Sequence, residues 1–389
     1  MSLPPELINR ILGHLGDDPG SFKAMSMVSK AWAGWCQARL FKSVHLTPPT
    51  LKGWLENISP EADGPASHTR TLTLEEYHLI PWINPQYLDF PLTNLASFSD
   101  VKSLCLIQWN ATLFHGASPE PYFGHFGKSL RVVSLRFCAF DPETLFDFLS
   151  LLPNVDDLEI AHPYTHSELP NIIPGVPAVS PSFHGTLSLA DLSSGLLVLK
   201  ALARLPLRFS AIRIKGCPFY EPDAYQLLLR GCRDSLVTLR FEESYRDRPL
   251  PDVSLESCNA LEEVHVLLLN FLRLPRSLES LFSSITSKKL RKISLTFMDF
   301  VDDDDSEDEG DEYEDEDEDE DEWSVPRART APWGSLDTIL NRLAHQAQDV
   351  EGSLTLQLNI RRVGSKPFKC DHLLPKFLGR GGLVDIKCN

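Results

Sequence analysis

The stretch "LRVVSL" at 130–135 places apolar residues at Leu130, Val133 and Leu135, separated first by two residues and then by one. Alternation of this kind is typical of a strand that buries one face. The second and third positions, Val133 and Leu135, are therefore predicted to point inward as a pair. The same spacing recurs along the chain. Clear copies begin at Phe41, Val101, Val155, Phe209, Leu236, Leu261 and Leu290, and weaker copies with a polar first residue begin at Thr69, His184 and Ser353.

The spacing of these copies is regular. Between Phe41 and Leu290, successive copies begin 25 to 32 residues apart. Segments with a 3.6-residue apolar period, typical of helices, lie between them. They include "DPETLFDFLSLL" from Asp141, "EPDAYQLLLRGC" from Glu221, "RSLESLFSSI" from Arg276 and "GSLDTILNRLAHQ" from Gly334. Strand–turn–helix units repeated at about 28 residues predict an α/β fold, a curved solenoid with a parallel sheet inside the curve and helices outside.

The repeats resemble leucine-rich repeats, which are roughly 20 to 29 residues long. Cys258 lies three residues before Leu261, as in the cysteine-containing subclass of that family. Cys138 and Cys217 lie three residues after the last strand position, where the family uses Asn or Cys. None of the eight cysteines forms a Cys-x-x-Cys pair. We expect buried thiols, not disulfides or zinc ligands.

The first 46 residues are organised differently. A first helix is predicted from an apolar stripe made of Leu7, Ile8, Ile11, Leu12 and Leu15. Residues 17–20 form a turn sequence, and Ser29 is suited to cap a third helix. Three helices this short have too many apolar faces to cover one another, so we expect another surface to cover part of them.

Residues 1–46 resemble an F-box. The resemblance is carried by Leu3, Pro4, Glu6, Leu7, Ile8, Ile11, Leu12 and Leu15, and then by Phe22, Met25, Val28, Ser29, Lys30, Trp32, Leu40 and Phe41. Ser29 stands where many members have Cys. The resemblance, which extends to large fungal families, implies docking to the adaptor subunit of a cullin-type (SCF-like) ubiquitin ligase. The implied contact residues are Leu3, Pro4, Leu7, Ile8, Ile11, Leu12 and Trp32.

The chain has a net charge of −17, but the excess is local. Between Asp302 and Glu322, 18 of 21 residues are acidic, which leaves 54 − 18 = 36 acidic against 37 basic residues elsewhere. Self-repulsion and the lack of apolar residues predict a disordered insertion at about 301–330 within a solenoid that spans 47–389. Ser306, followed by acidic residues, fits an acid-directed kinase site.

No motif for catalysis or cofactor binding stands out. We find no P-loop and no Gly-x-Gly-x-x-Gly, Gly-x-Ser-x-Gly or His-Glu-x-x-His pattern, and so we predict no enzyme activity, cofactor or metal site. No apolar run approaches the roughly 18 residues that span a bilayer. The first residues do not fit a signal peptide. We therefore predict a cytoplasmic or nuclear protein, with neither a membrane nor a nucleic acid as partner.

The function predicted from these features is substrate recognition for a ubiquitin ligase. A receptor of this kind needs no catalytic residue, because it raises the concentration of substrate near the ubiquitin carrier. The residues that flank the inward positions should face the concave side of the repeats, and the candidates for binding a protein substrate are Arg136, Arg213, Lys215, Arg240, Glu242 and His265. Two alternatives stay open: a repeat scaffold whose F-box-like cap has no adaptor, and an acidic chaperone for basic proteins built around 302–322.

Overall fold

A computed structural model gives the arrangement of most of the chain. It describes residues 4–15, 18–47, 50, 53–54, 64–76, 92–109, 119–140, 142–163, 183–192, 195–216, 222–243, 252–268, 276–299, 333–348, 354–362, 374–378 and 383–388. The chain divides into two units. The first consists of Met1–Phe183 with Arg204–Pro206, and the second of His184–Ala203 with Leu207–Asn389.

The first unit begins with three short helices, α1 (Pro5–His14), α2 (Pro19–Ser26) and α3 (Lys30–Leu40). Side chains before α2 and α3 cap them. The Asp18 carboxylate accepts the backbone N–H groups of Gly20 and Ser21 at 3.1 and 3.0 Å. The Ser29 hydroxyl accepts the N–H of Trp32 at 3.3 Å, as predicted for a helix cap. Sequence-local capping therefore sets where these two helices begin.

A small apolar core holds the three helices together. Its fully buried members are Ile8, Leu12, Phe22 and Cys36, and its half-buried members are Leu15, Met25, Trp32, Trp35 and Leu40. We refer to these three helices, residues 5–40, as the helix trio. The trio continues into the rest of the first unit through aromatic contacts, since Trp54 lies edge-on to Phe41 at 5.6 Å and stacks on Phe98 at 5.8 Å between ring centroids.

The remainder of the first unit is a parallel sheet with helical connections. Its strands, each bonded to the next in chain order, are β1 (Ser43–Leu46), β2 (Thr71–Glu75), β3 (Ser103–Ile107), β4 (Val132–Arg136) and β5 (Asp157–Ala161). Its helices are α4 (Glu120–Phe123) and α5 (Pro142–Ser150), and 3₁₀ turns occupy Pro65–His68, Leu92–Ser97 and Gly124–Lys128.

The second unit repeats this plan. Its parallel strands are β6 (Thr186–Ala190), β7 (Ala211–Lys215), β8 (Thr238–Glu242), β9 (Glu263–Leu268), β10 (Lys292–Asp299), β11 (Thr355–Arg362) and β12 (Leu383–Cys388). Its helices are α6 (Gly195–Ala203), α7 (Pro222–Gly231), α8 (Arg276–Ser283), α9 (Trp333–Gln348) and α10 (Pro375–Leu378). The predicted α/β arrangement of parallel strands and helices is confirmed.

Each strand from β1 to β11 contributes at least two buried apolar residues, and within a unit these residues stack with their neighbours in register. In the second unit, Leu239 of β8 lies between Ile212 of β7 and Val264 of β9, and all three are at most 1% exposed. Val133 and Leu135 of β4 are equally buried, as the sequence pattern predicted. All eleven strands predicted from the pattern coincide with observed strands, and β12 was not predicted.

Five strands are directly followed by a residue with left-handed backbone conformation. Gln108, Phe137, His162, Asp191 and Gly216 directly follow β3 to β7, with φ between 48° and 65°. The N–H groups of all of these except His162 donate to the last carbonyl of the following strand at 2.8–2.9 Å. This conformation is costly for a bulky residue such as Phe137. Its ring stacks on that of His162, with centroids 4.5 Å apart and planes at 3°, and this contact offsets part of the cost.

A buried carboxylate joins the last two helices. Asp337 of α9 is 2% exposed and accepts the backbone N–H groups of Lys376 and Phe377 at 3.0 and 2.8 Å. These N–H groups lie in the first turn of α10, where they have no partner within the helix. Asp337 therefore caps α10 from a distant part of the sequence.

Candidate functional site

The helix trio separates the predicted adaptor-binding residues into two groups. Leu7 and Ile11 on α1 are exposed by 45% and 39%, whereas Ile8 and Leu12 are buried in the core of the trio. Trp32 is half-buried against that core. Only the first pair is therefore available on the surface of α1. Ile8 and Leu12 hold the helices together, so their contribution to any docking would be indirect.

Two further apolar residues are exposed where α2 ends. Met27 and Val28 form the turn between α2 and α3 and are exposed by 78% and 70%. Pro4, immediately before α1, is exposed as well, and Leu3 lies outside the described residues. Among the residues with a described structure, the large exposed hydrophobic side chains are Leu7, Ile11, Met27, Val28, Val132, Phe137 and Leu227. Four of these seven lie in or between the trio's helices, so this segment holds most of the large exposed hydrophobic side chains described.

In the first unit, the predicted substrate-binding residue Arg136 is engaged with its own sheet. Its guanidinium Nη2 lies 2.8 Å from Glu159 Oε2 on β5, and its Nε donates to the hydroxyl of Ser134 at 3.1 Å. The Ser134 hydroxyl donates to the same Glu159 oxygen at 2.7 Å. The hydrogen bond that Arg136 donates to Glu159 raises the pKa of Arg136 above its ordinary value, so Arg136 stays charged. Arg136 and Glu159 therefore form an ion pair with no net charge on the surface of the sheet.

In the second unit, four predicted residues form one group on adjacent strands. Arg213 and Lys215 lie on β7, and Arg240 and Glu242 lie opposite them on β8. Arg213 contacts Glu242 Oε1 through both Nε and Nη2 at 2.7 Å, and Arg240 Nε contacts the same oxygen at 2.6 Å. We call these four residues the β7–β8 charge cluster. The structure therefore brings Arg213 and Arg240 together on the Glu242 carboxylate, with Lys215 at the neighbouring position of the sheet.

His265 belongs to the next strand and has its own partner. It lies opposite Arg240 in the register of β8 and β9. Its Nε2 is 3.2 Å from the carboxylate of Glu263, which also lies 3.4 Å from the guanidinium of Arg291. His265 thus borders the β7–β8 charge cluster without contacting Glu242.

The described thiols are unsuited to nucleophilic chemistry. Burial raises the pKa of Cys138 and Cys232 to about 12 and that of Cys258 to about 11. Burial likewise raises the pKa of the Cys36 and Cys105 thiols. Thiolate is therefore scarce at neutral pH, and nucleophilic cysteine chemistry requires thiolate. These five cysteines are free, and all of them except the partly exposed Cys105 are buried, which agrees with the prediction of buried thiols.

The described residues form neither a metal site nor a membrane-spanning helix. No group of three or more His, Cys, Asp or Glu side chains there could hold a metal ion. None of the helices described is both long and apolar enough to cross a bilayer. The acidic segment at 301–330, with the predicted phosphosite Ser306, lies outside the described residues.

Comparisons with known proteins add no family assignment. No protein-family model matches the chain, and no curated protein matches it significantly. The F-box and leucine-rich-repeat resemblances therefore stay predictions from the sequence.

Proposed function

We propose that the chain is a substrate-recognition subunit of a cullin-type ubiquitin ligase. In this proposal the helix trio is an F-box that docks the adaptor, and the repeats are leucine-rich repeats that bind a protein substrate. The chain itself is non-catalytic. Its contribution to rate is to hold the substrate near the charged ubiquitin carrier.

The supporting observation is the concentration of exposed apolar side chains on the helix trio. Leu7 and Ile11 lie one turn apart on α1 and so share a face. Covering the exposed parts of such side chains contributes roughly 1 kcal/mol each, which favours association with a partner over exposure to water. Contiguous exposed apolar surface on a folded protein is typical of an interaction site.

One observation favours the alternative of a repeat scaffold without an adaptor. The trio is joined to the sheet of the first unit by the packing of Phe41, Trp54 and Phe98. Terminal caps of repeat arrays make contacts of this kind. The two functions differ in whether the exposed side of α1 has a partner, and that difference can be measured.

The test compares a double variant of the helix trio with a control variant at an exposed leucine outside it. Leu7→Ala with Ile11→Ala removes exposed side chains from the trio, and Leu227→Ala removes one from α7, where 47% of it is exposed. Affinity purification at endogenous expression levels should recover the adaptor and cullin with the wild-type chain and the Leu227 variant. The double variant should lose both proteins without a change in its thermal unfolding. Failure of the wild-type chain to recover an adaptor, or equal recovery by the double variant, would favour the scaffold.

A further inference from the structure

The β7–β8 charge cluster carries more positive charge than its single carboxylate balances. Its members are three cations, Arg213, Lys215 and Arg240, and one anion, Glu242. Lys215 is exposed and makes no ion pair with any described residue. The cluster therefore has a surplus of two positive charges on one face of two adjacent strands.

The arrangement of Glu242 leaves the outer sides of both arginines available. Its side chain is only 8% exposed and lies beneath the two guanidiniums, whose side chains are 49% and 44% exposed. Glu242 binds Nε and Nη2 of Arg213 and Nε of Arg240, so most of the five N–H groups of each guanidinium remain unused by it. The buried carboxylate thus holds two arginine side chains in place while they present donors outward.

The neighbouring strands supply no free carboxylate next to the cluster. On β6, Ser188 and Ala190 lie opposite Arg213 and Lys215. On β9, His265 and Leu267 lie opposite Arg240 and Glu242. The carboxylate of Glu263, one step further along the same face of β9, is bonded to His265 and Arg291. Two further carboxylates, Asp191 and Glu243, stand directly after β6 and β8. Within the strands β6 to β9 themselves, the surplus charge is not neutralised.

This arrangement has a cost that a bound anion would relieve. Arg213 and Arg240 are direct cross-strand partners. Like charges directly opposite each other in a sheet are destabilising. A single arginine would suffice to pair with Glu242, so the second arginine and Lys215 are not explained by the needs of the buried carboxylate alone.

We propose that the β7–β8 charge cluster binds an acidic peptide segment of a protein ligand. Two adjacent guanidiniums are suited to bidentate contacts with carboxylate or phosphate groups, and Lys215 adds a third point of contact. The proposal rests on the proposed function only in naming this ligand a ligase substrate. Binding itself requires neither the adaptor nor the helix trio.

The test measures peptide binding to the full chain by fluorescence anisotropy. The probe is a labelled peptide of alternating glutamate and glycine, and the same peptide with glutamine is the control. A third peptide with phosphoserine at the glutamate positions distinguishes phosphate from carboxylate as the preferred group. The glutamate or phosphoserine peptide should bind more tightly than the glutamine peptide, and added salt should weaken that binding.

Three variants locate the binding. Lys215→Gln removes one cation that has no described partner, and it should weaken binding about fivefold. Arg230→Gln, on α7, makes the same charge change away from the sheet and should leave binding unchanged. The triple variant Arg213→Gln, Arg240→Gln, Glu242→Gln removes the guanidiniums without leaving a buried carboxylate unpaired, and it should reduce binding to that of the glutamine peptide.

Each measurement is repeated in a chain that lacks residues 302–322, because an attached polyanion is itself a candidate ligand. The proposal is overturned if neither chain distinguishes acidic from glutamine peptides. It is also overturned if Lys215→Gln and Arg230→Gln weaken binding equally. If these variants lose peptide binding but still recover the adaptor, the peptide site is separate from the helix trio. If instead the proposed function fails, adaptor recovery is lost and peptide binding persists.

Discussion

Replacing Leu239 with alanine should lower the free energy of unfolding by about 2–5 kcal/mol. Leu239 is fully buried in β8, and its neighbours in register, Ile212 and Val264, are held by strands on both sides. The substitution removes three carbon atoms, and their transfer term is about 2.4 kcal/mol at about 0.8 kcal/mol each. Because the flanking strands cannot easily close the space, a residual cavity adds to this cost at about 24 cal/mol per Å³.

The measurement is urea denaturation followed by circular dichroism, with Leu227→Ala as the matched control. Leu227 is 47% exposed on α7 of the same unit, so the same chemical change should alter stability by less than about 0.5 kcal/mol. Leu135→Ala, at a 1% exposed position in β4, tests the first unit in the same way. A change below about 0.5 kcal/mol at both Leu239 and Leu135 would refute the assignment of inward positions.

Three further predictions concern a cap, the thiols and the acidic segment. Asp337→Ala should destabilise the chain by about 1–3 kcal/mol in thermal or urea unfolding, because two N–H groups at the start of α10 lose their acceptor. Asp337→Asn keeps an acceptor oxygen and should therefore be less destabilising. Cys138, Cys232 and Cys258 should react with a disulfide reagent only after unfolding. Because burial raises their pKa values in the folded chain, the thiols of the unfolded chain lose their protons at lower pH. The free energy of unfolding should therefore fall as the pH rises above about 9. Deleting residues 302–322 should tighten capture of an acidic ligand at low salt if the segment competes for the same cations. Lost capture would instead indicate that the segment recruits a basic partner. If neither the binding nor its salt dependence changes, the segment is only a solvated loop.

The strands could be predicted from the sequence because burial of one sheet face imposes a period of two. Leu239 and Phe241 alternate with polar residues, and this alternation alone places them inward. The last strand, β12, was missed because Gly381 stands at the first apolar position of the pattern. Helix α6 was missed for a different reason. Its sequence, "GLLVLKALA", is apolar nearly all round and so shows no 3.6-residue period.

The candidate surfaces could be predicted only in part. The stripe on α1 contains five apolar residues, and sequence alone does not indicate which edge of such a stripe faces the core. Met27 and Val28 were not assigned to the surface because a turn has no period to interpret. The alternation in β7 and β8 placed Arg213, Arg240 and Glu242 on one side of the sheet. Their convergence on a single oxygen depends on the register between strands, which lies beyond local sequence patterns.

The nearest-neighbour order of the strands has a consequence for how such a chain can lengthen. The connection from Asp299 to Thr355 is more than twice as long as that from Leu268 to Lys292, yet β10 and β11 pair over eight residues, from Lys292–Thr355 to Asp299–Arg362. Closing a loop of doubled length costs only about 0.6 kcal/mol of chain entropy. Because each of these strands pairs only with the strands directly before and after it in the chain, a long insertion changes one connection and leaves the other pairings as they were. Evolution can therefore add whole charged segments to this array, and select among them, at almost no cost in folding free energy.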